Sequence, residues 1–295
     1  MAINNNRRGG SALPFGTMLG NHTQAMAPLR ILVTGCSGFV GPHVIAAITD
    51  AGHLPLATGR RGGDAVTDLL ATSMVAAVVQ ALQPDLVINL AALAKLQDCE
   101  RDPALAERTN VWLPQQFAER FGARLLHVST DLVFDGAGAP YAPGAAVAPR
   151  SIYGASKARG EEAVGKHGAR VVRLPLLFGP DAQGRGASAS LRTAAARRSA
   201  VSLFTNEYRT PLHVVDAARA LVELIVDPSG PPLVHLPGPE RVSRWQLGGR
   251  FAAAHGLDAA LLHPTECQDP LRPRDVSLAS AWRATRSLSA MLADC

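Results

Sequence analysis

Residues 29–34 (LRILVT) form a short, unbroken apolar run that ends in glycines, the pattern of a strand buried on both faces of a parallel sheet. Residues 42–48 (PHVIAAI) then read as a helix with its proline in the first turn, where a missing N–H costs little. The rhythm repeats. A second strand over 54–58 leads into a Gly/Arg loop, followed by a helix over 73–82 and a very apolar strand over 85–90. Residues 102–121 read as one helix, 124–129 as a strand, 135–149 as a Gly/Pro/Ala loop, 151–166 as a helix and 170–177 as a further strand. Strands alternating with helices across short joints predict an α/β fold, a doubly wound parallel sheet.

Past Gly179 the pattern becomes less regular. A loop over 182–186, a basic helix over 188–198, a helix over 214–226, an edge strand over 231–236 and a helix over 244–255 are predicted, with Pro264, Pro270 and Pro273 marking joints. The division that follows has a nucleotide-binding body over 28–180, to which 210–236 return. A smaller C-terminal substrate cap takes in 181–209 and 237–295. Residues 1–27 read as a disordered tail, because 11–26 are small and polar and lack the apolar core of a signal peptide.

Composition narrows the function classes. With 295 residues, 47% apolar and 18% charged, a buried core is affordable and pervasive disorder is excluded. No apolar run reaches the ~18–20 residues that span a bilayer. The net charge of +5 rests on arginines, every basic residue but Lys95, Lys157 and Lys166, scattered among only 5% aromatics. That speaks against a nucleic-acid surface and leaves room for a basic pocket taking an anionic ligand. The four cysteines (Cys36, Cys99, Cys267, Cys295) form no CxxC pair, and the nine histidines no HExxH spacing. Neither a disulfide framework nor a metal site is expected, and a reducing cytoplasm fits.

Candidate chemistry begins at Thr34-Gly35-Cys36-Ser37-Gly38-Phe39-Val40-Gly41, between the first strand and the first helix. Glycines there permit a tight turn and let backbone N–H groups approach a pyrophosphate at the helix N-terminus, as in a Rossmann fold. The spacing is GxxGxxG rather than GxGxxG. After the second strand, where an acid would meet the ribose diol of NAD, stand Arg60 and Arg61. Guanidinium groups there favour the 2′-phosphate of NADP, with NAD as the alternative cofactor; two solvated loop arginines would read the same way. Asp68 and Leu69 follow as candidates for the adenine end.

Tyr153 and Lys157 stand at i and i+4 on a predicted helix, so phenol and ammonium share a face. An ammonium beside a phenol is expected to lower its pKa and make it a usable acid or base. Ser129 and Thr130 end a strand where parallel sheets bind ligands, and supply a hydroxyl for a carbonyl oxygen.

Taken together, the glycine loop, Asn89-x-Ala91-Ala92, Ser129-Thr130-Asp131, Tyr153-x-x-x-Lys157 and Arg173 with Gly179-Pro180 resemble the extended short-chain dehydrogenase/reductase superfamily, and within it the dTDP-4-dehydrorhamnose reductase-like branch. PDLVINLAA, STDLVFDG, IYGASKARGEE and EYRTPLHVVDAARAL carry the likeness over residues 29–227. The resemblance implies Tyr153 as proton donor or acceptor, Lys157 on the nicotinamide ribose and Thr130 on the substrate oxygen. It also implies Phe39 and Val40 at the pyrophosphate, Ala91 and Ala92 along the cofactor path, Asn110 as a structural or relay residue, and Asp131 and Arg209 near a sugar nucleotide. A homodimer is expected on the same ground. Two positions depart from the pattern. Leu176 stands where the rhamnose reductases carry an aromatic residue against the sugar, and Leu132 follows Thr130-Asp131 where sugar-nucleotide dehydratases carry Glu. The expected activity is NADPH-dependent reduction of a keto group, foremost a 4-keto nucleotide sugar. A nucleotide-sugar epimerase and a non-catalytic, cofactor-binding regulatory subunit are the alternatives.

Overall fold

The computed structural model describes residues 27–295, so the tail predicted over 1–27 lies, but for its last residue, outside the described residues. Six strands, β1 (Arg30–Thr34), β2 (Leu54–Gly59), β3 (Ala65–Val66), β4 (Leu86–Asn89), β5 (Leu125–Thr130) and β6 (Arg170–Leu174), are joined at one edge by Leu233–His235. The order is Leu233–His235, β6, β5, β4, β1, β2, β3, and every neighbouring pair is parallel. Strand order reverses between β1 and β4. In such a sheet, ligands lie beyond the carboxyl ends of the strands at that point.

Apolar residues alternate between two cores. On one face Ile31, Val33, Ile88, Leu126 and Val172 meet Val44 and Ile48 of α1 (Gly41–Asp50) and Ala217 and Leu221 of α8 (Val214–Val226). On the other, Leu32, Val87, Leu125 and Val171 meet α2 (Met74–Leu82), α5 (Leu113–Phe121) and Val164 of α6 (Ile152–Gly165).

The predicted helix over 102–121 is three pieces. Asp102 caps α4 (Pro103–Glu107) by accepting from the Leu105 N–H, a π-helical turn follows over Arg108–Trp112, and α5 continues. A further helix, α3 (Leu96–Arg101), precedes them. The strand predicted over 170–177 stops at Leu174 because Pro175 has no N–H for the ladder, and Leu177–Phe178 pairs instead with Leu212–His213.

The C-terminal part adds α7 (Ala189–Arg197), α9 (Arg244–His255) and α10 (Leu288–Ala293). Two short pairings support them: Val242–Ser243 antiparallel to Tyr208–Arg209, and Leu262–Thr265 parallel to Val201–Phe204. A capping box at Ser243 and Gln246 starts α9. Among the described residues, no helix is long and apolar enough to cross a membrane.

Candidate active site

The turn after β1 is built by glycines that leave no room for a side chain. Gly35 has φ +66°, and a Cβ there would stand 2.9 Å from the Ala91 backbone nitrogen; at Gly41 it would stand 2.2 Å from the Cys36 carbonyl oxygen. The backbone therefore runs close along the mouth of a cleft of about 770 Å³. Gly35, Ser37, Gly38, Ala91 and Ala92 line its floor, and Arg60, Arg61, Asp68 and Leu69 its outer end. The first acid after β2, Asp64, is folded back to accept from the Ala57 N–H at 2.7 Å. Two arginines thus stand at this end of the cleft together with Asp68, while Asp64 is spent on the turn. The cradle and its donors fit a dinucleotide bearing a 2′-phosphate.

Phe39 and Val40, expected to meet the pyrophosphate through their backbone, turn their side chains elsewhere. Phe39 does not line the cleft: its ring meets His43 edge-on at 6.2 Å and covers Gly186. Val40 packs against the first core, and Gly41 opens α1. Their part is to hold the turn. Sequence reasoning missed Arg185, which lines the cleft, pairs with Asp181 at 2.7 Å and donates to the Ser37 carbonyl at 2.6 Å. Its signal was only a basic residue between glycines in a loop.

Thr130, Tyr153 and Lys157 do not line this cleft; β5 delivers the first and α6 the other two. Ser151 caps α6 by accepting from Gly154 N–H at 3.1 Å, and Gly154 brings the helix against the chain after β5: a Cβ there would stand 2.2 Å from the Leu132 carbonyl oxygen. Thr130 Oγ1 accepts from the Leu132 N–H at 3.2 Å and donates to Asp131 Oδ1 at 3.1 Å. Burial pushes the Tyr153 phenol above its ordinary value, with Asp131 and Cys99 adding to the rise and a hydrogen bond with Thr130 opposing it. The lowering by ammonium expected from sequence does not arise. Lys157, only 2% exposed, turns its amine to His127 Nε2 at 3.0 Å and the Val128 carbonyl at 2.7 Å. Burial pushes Lys157 itself down to about 8, against the raising influence of Glu161.

Asn110 does not line the cleft. From the π turn its side chain accepts from Leu93 N–H at 2.9 Å and donates to the Leu93 carbonyl at 3.1 Å and Ser156 Oγ at 2.9 Å. It ties the cleft wall to α6, one residue before Lys157.

Asp131 is pushed up to about 6, by burial first, with the Arg209 guanidinium and the Thr130 hydrogen bond opposing and Glu207 reinforcing the rise. Arg209 Nε lies 3.4 Å from its Oδ2, and Arg209 Nη1 donates to the Tyr208 carbonyl at 2.7 Å. Buried Glu207, unforeseen from sequence, is held by Arg272 through two bonds of 2.8 and 3.0 Å. Leu176 is partly buried against the first core. Thr130 is thus linked through Asp131 to an arginine-rich, acid-balanced region contributed by later elements.

This arrangement on a parallel sheet defines an NAD(P)-dependent oxidoreductase of the short-chain dehydrogenase/reductase type. The model of the RmlD substrate binding domain matches residues 29–290, and the chain belongs to that family. It is 32% identical over 262 residues to the dTDP-4-dehydrorhamnose reductase of Mycobacterium tuberculosis, covering 85% of this chain and 84% of that one. It is also 31% identical over 251 residues to methionine adenosyltransferase 2 subunit beta of Xenopus laevis, covering 80% of this chain and 75% of the relative. Among solved structures, a dTDP-4-dehydrorhamnose reductase from Bacillus anthracis in complex with NADP superposes with a TM-score of 0.81 at 22% identity, covering 90% of this chain and 97% of that one.

Proposed function

We propose that this chain reduces a keto group on a nucleotide-linked sugar, foremost a 4-keto sugar, using NADPH. The observation that carries the reading is Thr130 within hydrogen-bond reach of Tyr153, with buried Lys157 one turn along α6 and bound to the carbonyl of Val128 on the strand that delivers Thr130. Similarity to the mycobacterial dTDP-4-dehydrorhamnose reductase supports the substrate class.

When bound, NADPH supplies the hydride. Ser37, Gly38 and the α1 N-terminus would hold its pyrophosphate, Arg60 and Arg61 its 2′-phosphate, Asp68 and Leu69 its adenine, and Lys157 its nicotinamide ribose. Thr130 would turn its single O–H from Asp131 to the substrate oxygen, and Tyr153 gives its phenolic proton to that oxygen as negative charge grows there. A phenol raised by burial is fully protonated at neutral pH, the state a donor needs. Asp131, pinned by Thr130 and Arg209, borders the same oxygen and is placed to orient the sugar. Leu176 stands where the rhamnose reductases carry an aromatic residue, so a preferred sugar other than the rhamnose precursor is part of the reading. The cap over 181–209 and 237–295 makes that choice.

Similarity to the Xenopus laevis subunit favours a second reading, a cofactor-binding subunit without turnover. The test is NADPH oxidation across a panel of 4-keto nucleotide sugars, followed by loss of nicotinamide absorbance. Turnover abolished by Tyr153→Phe supports the reductase. Conversion of a sugar nucleotide without net NADPH use indicates an epimerase. No turnover, with co-purification of a larger enzyme, indicates the subunit.

A further inference from the structure

Three polar residues stand in one row across the middle of the sheet. Thr34 of β1 is in register with Asn89 of β4, and Asn89 with His127 of β5. All three are on the face that carries Leu32, Val87 and Leu125 into the second core, and each is no more than 1% exposed. Their side chains touch in sequence: Thr34 Oγ1 to Asn89 Oδ1 at 2.6 Å, and Asn89 Nδ2 to His127 Nδ1 at 3.0 Å. The other ring nitrogen of His127 meets Lys157 Nζ at 3.0 Å. Gly160, three residues after Lys157, lets α6 lie close: a Cβ there would stand 2.2 Å from the Asn110 carbonyl oxygen, with His127 Nε2 at 3.6 Å.

Hydrophobic residues at these positions would pack without polar cost, whereas buried polar groups persist only with their partners satisfied. The row is satisfied only if it ends at Lys157. An ammonium carries three N–H groups. One meets His127 Nε2, one donates to the Val128 carbonyl, and the third has no partner among the described residues.

We propose that His127 is a positioning residue for Lys157, supplying through Nε2 the lone pair that fixes the amine and leaves its third N–H for a ligand. The inference deepens the reductase reading and rests on it for the role of Lys157. It also dictates protons. To accept from the ammonium, His127 must be neutral and carry its proton on Nδ1, which requires the Asn89 amide turned over from the orientation above, its oxygen toward Nδ1 and its NH2 toward Thr34 Oγ1. Which end of an amide is oxygen is assigned from such a network. Burial and the neighbouring Lys157 both hold the ring well below its ordinary pKa, hence neutral. If Lys157 loses its proton, the row reverses: Thr34 donates to Asn89, Asn89 to Nδ1, and Nε2–H to the free amine. The other groups bearing on Lys157 are Glu161 on α6, paired at 2.6 Å with Arg173 of β6, and, toward Tyr153, Asp131 and Cys99 of α3.

The test needs neither cofactor nor substrate, so it stands or falls apart from the reaction. Lys157 is one of three lysines; with Lys95 and Lys166 replaced by Arg, a labelled-lysine NMR titration of the full chain reads it alone. In His127→Leu the Lys157 midpoint is expected to drop by about one pH unit, a tenfold change in its acid constant. His127→Gln, which keeps an acceptor, is expected to restore most of it. An unchanged midpoint in a folded His127→Leu chain overturns the proposal. If that variant does not fold, imidazole ¹⁵N shifts of the chain with His127 intact decide. A proton on Nδ1 with Lys157 charged supports the proposal, and a proton on Nε2 in that state overturns it.

Discussion

In the proposed reduction, Tyr153 would act as a proton donor by environment rather than by activation. Burial, with Asp131 and Cys99 adding to it and the Thr130 hydrogen bond opposing, raises its pKa, so the proton is retained until a developing alkoxide, a far stronger base than a ketone, arrives beside it. Tyr153→Phe keeps the ring and removes only that proton. Turnover is expected to fall by about 100- to 10,000-fold with NADPH affinity retained, as read by cofactor fluorescence titration beside steady-state rates. Retained turnover would remove Tyr153 from the chemistry. At the outer end of the cleft, Arg60 and Arg61 offer charge where Asp64 is turned away. Replacing both with Ala is expected to weaken NADPH binding by about tenfold or more, the equivalent of ~1.4 kcal/mol or above, while NADH binding changes little. Equal losses for the two cofactors would mean that the arginines do not read the 2′-phosphate.

Helix α6 shows what a local sequence pattern carries and what it hides. Tyr153 and Lys157 were legible because i and i+4 share a helix face whatever the rest of the fold does. The alternation of strands and helices was legible because both-face burial writes unbroken apolar runs. Asn110 lay in a stretch whose periodicity reads as one helix; the π turn there follows from its bonds to Leu93 and Ser156, which no local pattern encodes. His127 was invisible as a candidate because its partners come from β4 and α6, residues far away in the chain. Glycine spacing along α6 was equally silent. A Cβ at Gly160 would stand 2.2 Å from the Asn110 carbonyl oxygen, a backbone atom that cannot swing aside. Gly160→Ala is therefore expected to cost about 1–3 kcal/mol of stability, measured by urea unfolding, and to reduce turnover by shifting Lys157. A variant as stable as the parent would show that α6 tolerates a wider gap.

Across the molecule, buried histidines tie the fold to pH. His213 and His235, 1% and 0% exposed, are pushed down to about 4. Burial is the main cause, reinforced by Arg286 at His213 and by Arg173 at His235. The unfolded chain takes up protons near pH 6.5 while the native ring does not, so stability is present above about 6.5 and is lost as pH falls toward 4. Each contributes on the order of 3 kcal/mol over that window. Asp131, raised to about 6, works with the opposite sign, losing stability as pH rises through the same range. The histidines are expected to prevail. Unfolding free energy should fall between pH 6.5 and 4, and His235→Gln should flatten the slope; an unchanged slope would locate the acid sensitivity elsewhere.

The reaction itself is read most directly with NADPH deuterated at the transferred position and a 4-keto nucleotide sugar, the product being weighed by mass spectrometry. One deuterium in the sugar for each NADPH oxidised, absent with Tyr153→Phe, is the predicted result. A converted sugar carrying no deuterium from the added cofactor, or no conversion of any 4-keto sugar nucleotide, would contradict it.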